Sequence, residues 1–239
     1  CPSLQSLHPP IKTNMKITTR ITTTILATTL GLASLSQAAV ILHGPTDYAV
    51  GNLANVAVDT ITSAELNGTD SLFITYSAAN NDRDGWIVLD VNGGGGWAPF
   101  ASPSTVGGFM TIMRTTGTET HSLYASGSIV DTDAAANFTV GDGLSHAVRI
   151  TLSGFSGNNT FTGTHTALFE VDHFSTIFST ADASMTTTFD FGVTDNGLEL
   201  YLSNAFGTMN VDNLTVSQSV IPEPGTYALI AGMLGLSYV

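Results

Sequence analysis

Between positions 39 and 219 apolar residues recur at every second position, not at every third or fourth. In the stretch 146–152, Val148, Ile150 and Leu152 face one way while Ala147, Arg149 and Thr151 face the other, which is the alternation of a half-buried strand. Runs of this kind, rich in β-branched and aromatic residues, lie at 39–44, 71–78, 86–91, 109–115, 121–127, 137–140, 146–155, 164–172, 186–194, 198–203 and 209–217. Gly, Asn, Asp and Ser separate them, with turn dipeptides at Asn67-Gly68, Asp142-Gly143 and Asn196-Gly197. Eleven short strands at such spacing predict an all-β chain, an antiparallel β-sandwich. Helical periodicity is nearly absent, no Pro/Gly linker divides the stretch and no fixed period repeats, so residues 39–219 are expected to form one domain. The irregular run 92–104, with four glycines before Trp97, is expected to be a long surface loop.

The ends of the chain follow other patterns. From Met15, a basic stretch with Lys16 and Arg20 is followed by an apolar run from Ile21 to Leu35 and by Ser36-Gln37-Ala38. This order predicts a signal peptide at 15–38, cut by signal peptidase near Ala39. Residues 1–14, which begin at Cys1 and show no apolar period, are expected to be translated upstream sequence. At the other end, Pro222 and Pro224 bar strand and helix alike, and Tyr227 to Val239 is an apolar run of 13 residues. That run predicts a short apolar helix, below the roughly 20 residues that cross a bilayer as a helix.

Composition narrows the partners. Beyond residue 38 the cations are Arg83, Arg114 and Arg149, set against all 19 carboxylates, a net charge of −16 with no lysine. Such a surface repels polyanions and argues against nucleic acid or anionic lipid as a partner; calcium and neutral sugars fit it better. The single cysteine, Cys1, lies ahead of the expected cut, so the domain is held by its core and not by disulfides.

Three groups of residues are candidates for chemistry. Glu170 and Asp172 share one face of a strand about 7 Å apart, a spacing that suits paired carboxylates in glycoside hydrolysis; the alternative is an acidic, solvent-facing strand. Asn80, Asp82, Asp84 and Gly85 match the first half of an EF-hand loop, but its last ligand position holds Val91. A calcium site of Asp82, Asp84 and Asp90 is therefore one expectation, and a hairpin turn joining 71–78 to 86–91 is the other. Trp86 and Trp97, the two tryptophans, are candidates for stacking on a sugar ring; core packing is the alternative for both. The histidines have no metal-ligand spacing, and no Gly-x-Ser-x-Gly occurs.

Two resemblances extend this reading. The tail "IPEPGTYALIAGMLGL" resembles the PEP-CTERM sorting signal of Gram-negative, polysaccharide-producing bacteria, a resemblance confined to about the last 20 residues. It implies that an exosortase-type enzyme recognises Pro222, Glu223 and Pro224. Tyr227, Leu229, Ile230, Leu234 and Leu236 then belong to a segment that enters the inner membrane before the protein reaches the cell surface or the extracellular polysaccharide. The arginines that close the family signal are missing, so this signal is expected to be truncated. Within the body, "VGDGLSHAVRITLSG" at 140–154, "GLELYLSN" at 197–204 and "MNVDNLTVS" at 209–217 resemble strands of concanavalin A-like and laminin-G-like jelly rolls. The stretch "FEVDHF" is similar to the catalytic strand of sandwich glucanases, but Phe174 and Ser175 stand where that family has its last glutamate. The expected function is thus a non-catalytic protein of the cell envelope or polysaccharide matrix, with weak carbohydrate binding. A structural or adhesive matrix protein without a specific ligand is the first alternative, and a glycoside hydrolase-like sandwich the second.

Overall fold

A computed structural model describes residues 39–66, 68–91, 108–114, 120–125, 128–133, 145–155, 159–173 and 181–220. The expected signal peptide, the C-terminal apolar helix, the strand at 137–140 and the loop at 92–104 lie outside the described residues.

Two antiparallel sheets of six strands each carry the fold. The first runs β1 (Val40–Val50), β12 (Met209–Val220), β3 (Thr69–Asn80), β8 (His146–Ser153), β9 (Thr164–His173) and β10 (Ala183–Asp190). The second runs β2 (Ala54–Ile61), β11 (Leu198–Asn204), β4 (Trp86–Val91), β5 (Phe109–Arg114), β6 (Thr120–Ala125) and β7 (Ser128–Asp133). Strands β4 to β7 and β8 to β10 are meanders; elsewhere the chain changes sheet at successive strands, as a sandwich requires. The antiparallel β-sandwich read from the alternation is therefore present, and the described residues fall in one compact unit.

Register explains which side chains form the core. On β3 and β8, Ile74 faces Ile150 and Leu72 faces Leu152, and all four are buried. Ile87, Leu89 and Val91 of β4 pack against them from the second sheet, in one cluster that also holds Phe109, Phe169 and Leu200. Full burial of such side chains contributes roughly 1.5–3 kcal/mol each, the main driving force here. Beyond this centre, Phe155, Phe189 and Phe191 pack round His165 and Phe161 packs edge-on against Phe155 and Phe191, with ring centroids 4.5 to 6.2 Å apart. The buried Tyr76 hydroxyl bonds Thr111 across the sandwich, and burial raises its pKa.

Two strands, β2 and β7, were not apparent as sequence patterns, and they are the two edges of the second sheet. Edge strands bury little: the described side chains of β7 are all exposed, including Ile129 and Val130. β2 does alternate through Ala54, Val56 and Val58, but its Asn, Asp and Ala content reads weakly as strand. β1 runs through Pro45, beyond the expected end at Gly44, because an edge strand hydrogen-bonds on one side only and tolerates a missing N–H.

The hairpin expected between 71–78 and 86–91 is corrected. β3 pairs with β12 and β8 while β4 pairs with β11 and β5, so the connection between them crosses from one sheet to the other.

Candidate functional site

The crossing between β3 and β4 holds Asp82 and Asp84, and their oxygens serve the backbone. Asn80 Oδ1 accepts from the Asp82 amide at 2.9 Å, Asp82 Oδ1 accepts from the Asp84 amide at 3.0 Å, and the Asp82 carbonyl accepts from Gly85 at 2.8 Å. The alternating Asn and Asp residues that mimic half an EF-hand are successive turn caps. Gly85 lies against the Asn80 amide, where any Cβ would overlap it.

Asn80 is 1% exposed and belongs to a polar junction that the sequence did not reveal. Its Nδ2 donates to the carbonyls of Trp86 and Phe206 and to Asn204 Oδ1, the last at 2.8 Å. Asn204, fully buried, donates in turn to the carbonyls of Val50, Gly51 and Gly207 at 3.0 to 3.2 Å. Two side chains thereby join the β1–β2, β3–β4 and β11–β12 connections at one end of the sandwich. The only signal was two asparagines at strand ends, and asparagine at a strand end ordinarily means a turn.

The expected calcium triad does not assemble. Asp90 lies four residues beyond Trp86 on β4, about 13 Å further along the strand. Among the described residues no three His, Cys, Asp or Glu side chains come together as metal ligands. Asp90 instead stands on the outer face of the second sheet with Trp86 and Val88, while Ile87, Leu89 and Val91 face the core. That outer face carries a second apolar cluster of Trp86, Val88, Met110, Ile112 and Ala205. Trp86 is 8% exposed with the Arg114 guanidinium 5.4 Å over its ring, so it packs and is not displayed for a sugar. Trp97 and the motif Pro222, Glu223, Pro224, with the apolar run after it, lie outside the described residues.

Asp90 is the unusual group on this face. It is 1% exposed, and its Oδ1 has no hydrogen-bond partner. Register places it directly between Tyr201 of β11 and Met110 of β5, with Tyr124 of β6 beyond Met110 and Glu199 diagonal to it on β11. Burial pushes the Asp90 carboxyl up to about 7; the Val91 amide opposes this, and the Glu199 carboxylate adds to it. The Tyr201 hydroxyl is also raised, first by burial and then by Glu199 and Asp90.

Glu170 and Asp172 are brought to one face, as expected, but on the outer side of the first sheet. Glu170 lies opposite Arg149, whose Nε and Nη2 both reach its Oε2 at 2.7 Å. This ion pair, 31% and 14% exposed at its two side chains, satisfies the carboxylate. Glu170→Gln should cost about 1 kcal/mol, the scale of a partly exposed pair, read as a small fall in the urea midpoint. Loss of a polysaccharide-cleaving activity on that change would instead place catalysis here.

A further cluster closes one side of the sandwich. His43 of β1 bonds Asp59 of β2 through Nδ1 at 2.7 Å and the Tyr48 hydroxyl through Nε2 at 3.0 Å, which ties the edge strands of the two sheets together.

No protein-family model matches this chain, and no curated protein matches it. Solved structures similar to it include the metal-free carbohydrate recognition domain of Emp46p, at 11% identity over 77% of this chain and 82% of that one, with a TM-score of 0.43. A Bacillus subtilis protein of unknown function with a galectin-like fold is 12% identical over 74% and 90%, TM-score 0.42. The Caenorhabditis elegans galectin LEC-6 is 10% identical over 71% and 94%, TM-score 0.30. The assignment of the fold rests on the strands and registers above.

Proposed function

We propose that this chain is an exported, non-catalytic protein of the cell surface or extracellular polysaccharide matrix of a Gram-negative bacterium, and that its β-sandwich binds neutral glycan weakly. The observation that carries the address is Pro222-Glu223-Pro224 followed by a 13-residue apolar run, behind a leader pattern at 15–38. On this reading signal peptidase removes the leader. An exosortase-type enzyme then acts on the tail during its brief stay in the inner membrane.

Charge and geometry support the ligand class. A body with three cations and 19 carboxylates repels acidic polymers, which leaves neutral sugars as the more favourable partners. The outer face of the second sheet holds a buried carboxyl, Asp90, beside the partly exposed Tyr201, groups that suit hydroxyls and the apolar face of a hexose. Glu170, the carboxylate most like a glucanase catalyst, is held by Arg149, which favours a binding role over a hydrolytic one.

The address is tested by changing Pro222, Glu223 and Pro224 to alanine in an exopolysaccharide-producing host that carries an exosortase. The variant should accumulate in the inner-membrane fraction while the parent reaches the surface or the medium. Equal distribution of the two proteins would remove the sorting role. Pull-down of the exported protein on host exopolysaccharide, with calcium and with chelator, tests the ligand class. Retention is expected in both conditions, because Asp90 is remote from Asp82 and Asp84; retention that chelator abolishes would restore a calcium site.

A further inference from the structure

We propose that Asp90 is the hydrogen-bonding anchor of a hexose site on the outer face of the second sheet, with Tyr201 as its stacking platform and Glu199 as its guard against acidic sugars. The proposal rests on the glycan reading above and locates it.

A carboxylate oxygen that is buried without a donor destabilises a fold. An aliphatic residue would avoid that penalty, and Val88, two residues earlier on the same face of β4, is one. The presence of Asp90 at this place is explained if a ligand supplies the missing donor for Oδ1. The donor is not a metal centre in waiting: the described residues bring no third His, Cys, Asp or Glu to the pair Asp90 and Glu199, while calcium takes six to eight oxygens. A sugar hydroxyl is a neutral donor of the right size, and vicinal hydroxyls satisfy Oδ1 while their ring lies along the sheet. Tyr201, directly opposite Asp90 and only partly buried, presents an aromatic ring for the C–H face of that sugar. Asp90 itself is 1% exposed, so the hydroxyl reaches it only when a covering side chain moves aside. Tyr124 extends the same face beyond Met110, which suits a chain of two or three sugars rather than one. The Glu199 carboxylate, whose charge already acts on Asp90, disfavours uronates, sulfates and phosphates at the site.

The test is calorimetric and fluorescence titration of the full chain, produced by export, with a panel of hexaoses: laminari-, cello-, malto-, manno- and galactohexaose, and hexagalacturonate as the acidic control. The wild-type chain should bind at least one neutral hexaose and not the uronate. Asp90→Leu, an apolar side chain that suits its Val88 and Met110 neighbours, should lower that affinity at least tenfold, and Tyr201→Ala should do the same. Thermal melting of both variants separates lost binding from lost folding, and Glu170→Gln, on the other sheet, should bind as the parent does. Parental affinity in both Asp90→Leu and Tyr201→Ala would overturn the site while leaving the glycan reading in place. Failure of the wild-type chain to bind any neutral hexaose would overturn the site and the glycan reading together.

Discussion

Asn204→Asp should lower the melting temperature by roughly 10 °C and should be more damaging than Asn204→Ala, although aspartate is nearly the same shape. The Asn204 Nδ2 donates to three carbonyls from two different connections, and its Oδ1 accepts from Asn80. Alanine removes those bonds and leaves buried acceptors unpaired, a loss of about 3 kcal/mol. Aspartate does more, since it directs a buried carboxylate oxygen at the carbonyls of Val50, Gly51 and Gly207. For a domain of this size each kcal/mol corresponds to about 2–4 °C. Calorimetric melts of the two variants and the parent decide the matter. If the aspartate variant melts with the parent, the junction does not hold the three connections.

The second expectation concerns pH. Asp90 has a folded pKa of about 7, above the ordinary carboxylate value of 3.8. Between those values the folded chain keeps a proton that the unfolded chain has released. Rising pH therefore favours unfolding across this window: the penalty is absent below about pH 4 and complete above about pH 7. Three pKa units correspond to about 4 kcal/mol, and relaxation of the buried site lowers the realised figure. Asp90→Asn has no proton to lose, so its advantage over the parent should grow from pH 4 to pH 8 by a few kcal/mol, as read from urea melts. General charge repulsion in this acidic chain also changes over that range, but it is common to both proteins and cancels in the difference. A difference that stays flat with pH would mean that Asp90 titrates normally. The same measurement bears on the hexose site, because a penalty this large in the unliganded fold is what ligand binding would relieve.

Ten of the eleven expected strands coincide with or overlap strands of the structure, and the eleventh, at 137–140, falls outside the described residues. The alternation in β3, β8 and β9 was legible because both flanking strands are paired and one face meets the core, so apolar residues are demanded at every second place. β2 was not legible because Asn, Asp and Ala dilute its alternation, and β7 because its described side chains are all exposed and its apolar pair, Ile129 and Val130, does not alternate. The Asn80–Gly85 stretch shows a different limit. Oxygen-bearing side chains at alternate positions serve metal binding and turn capping equally well, and only the distances to the Asp82, Asp84 and Gly85 amides separate the two uses.

By itself, the sequence determined the class of fold, the acidic and lysine-free character of the domain, and the expectations of export and sorting at its ends. These are properties of period, composition and short linear motifs, which need no partner from elsewhere in the chain. Tertiary structure decided which carboxylates matter. Asp90 looked like a third calcium ligand by its spacing, but register sets it between Tyr201 and Met110 on the far side of the sheet from the core, without a partner for Oδ1. Glu170 looked like half of a catalytic pair, and register sets Arg149 opposite it. In each case the deciding neighbour is 20 or more positions away along the chain, and burial and pairing at that range follow from sheet order, which no local pattern encodes.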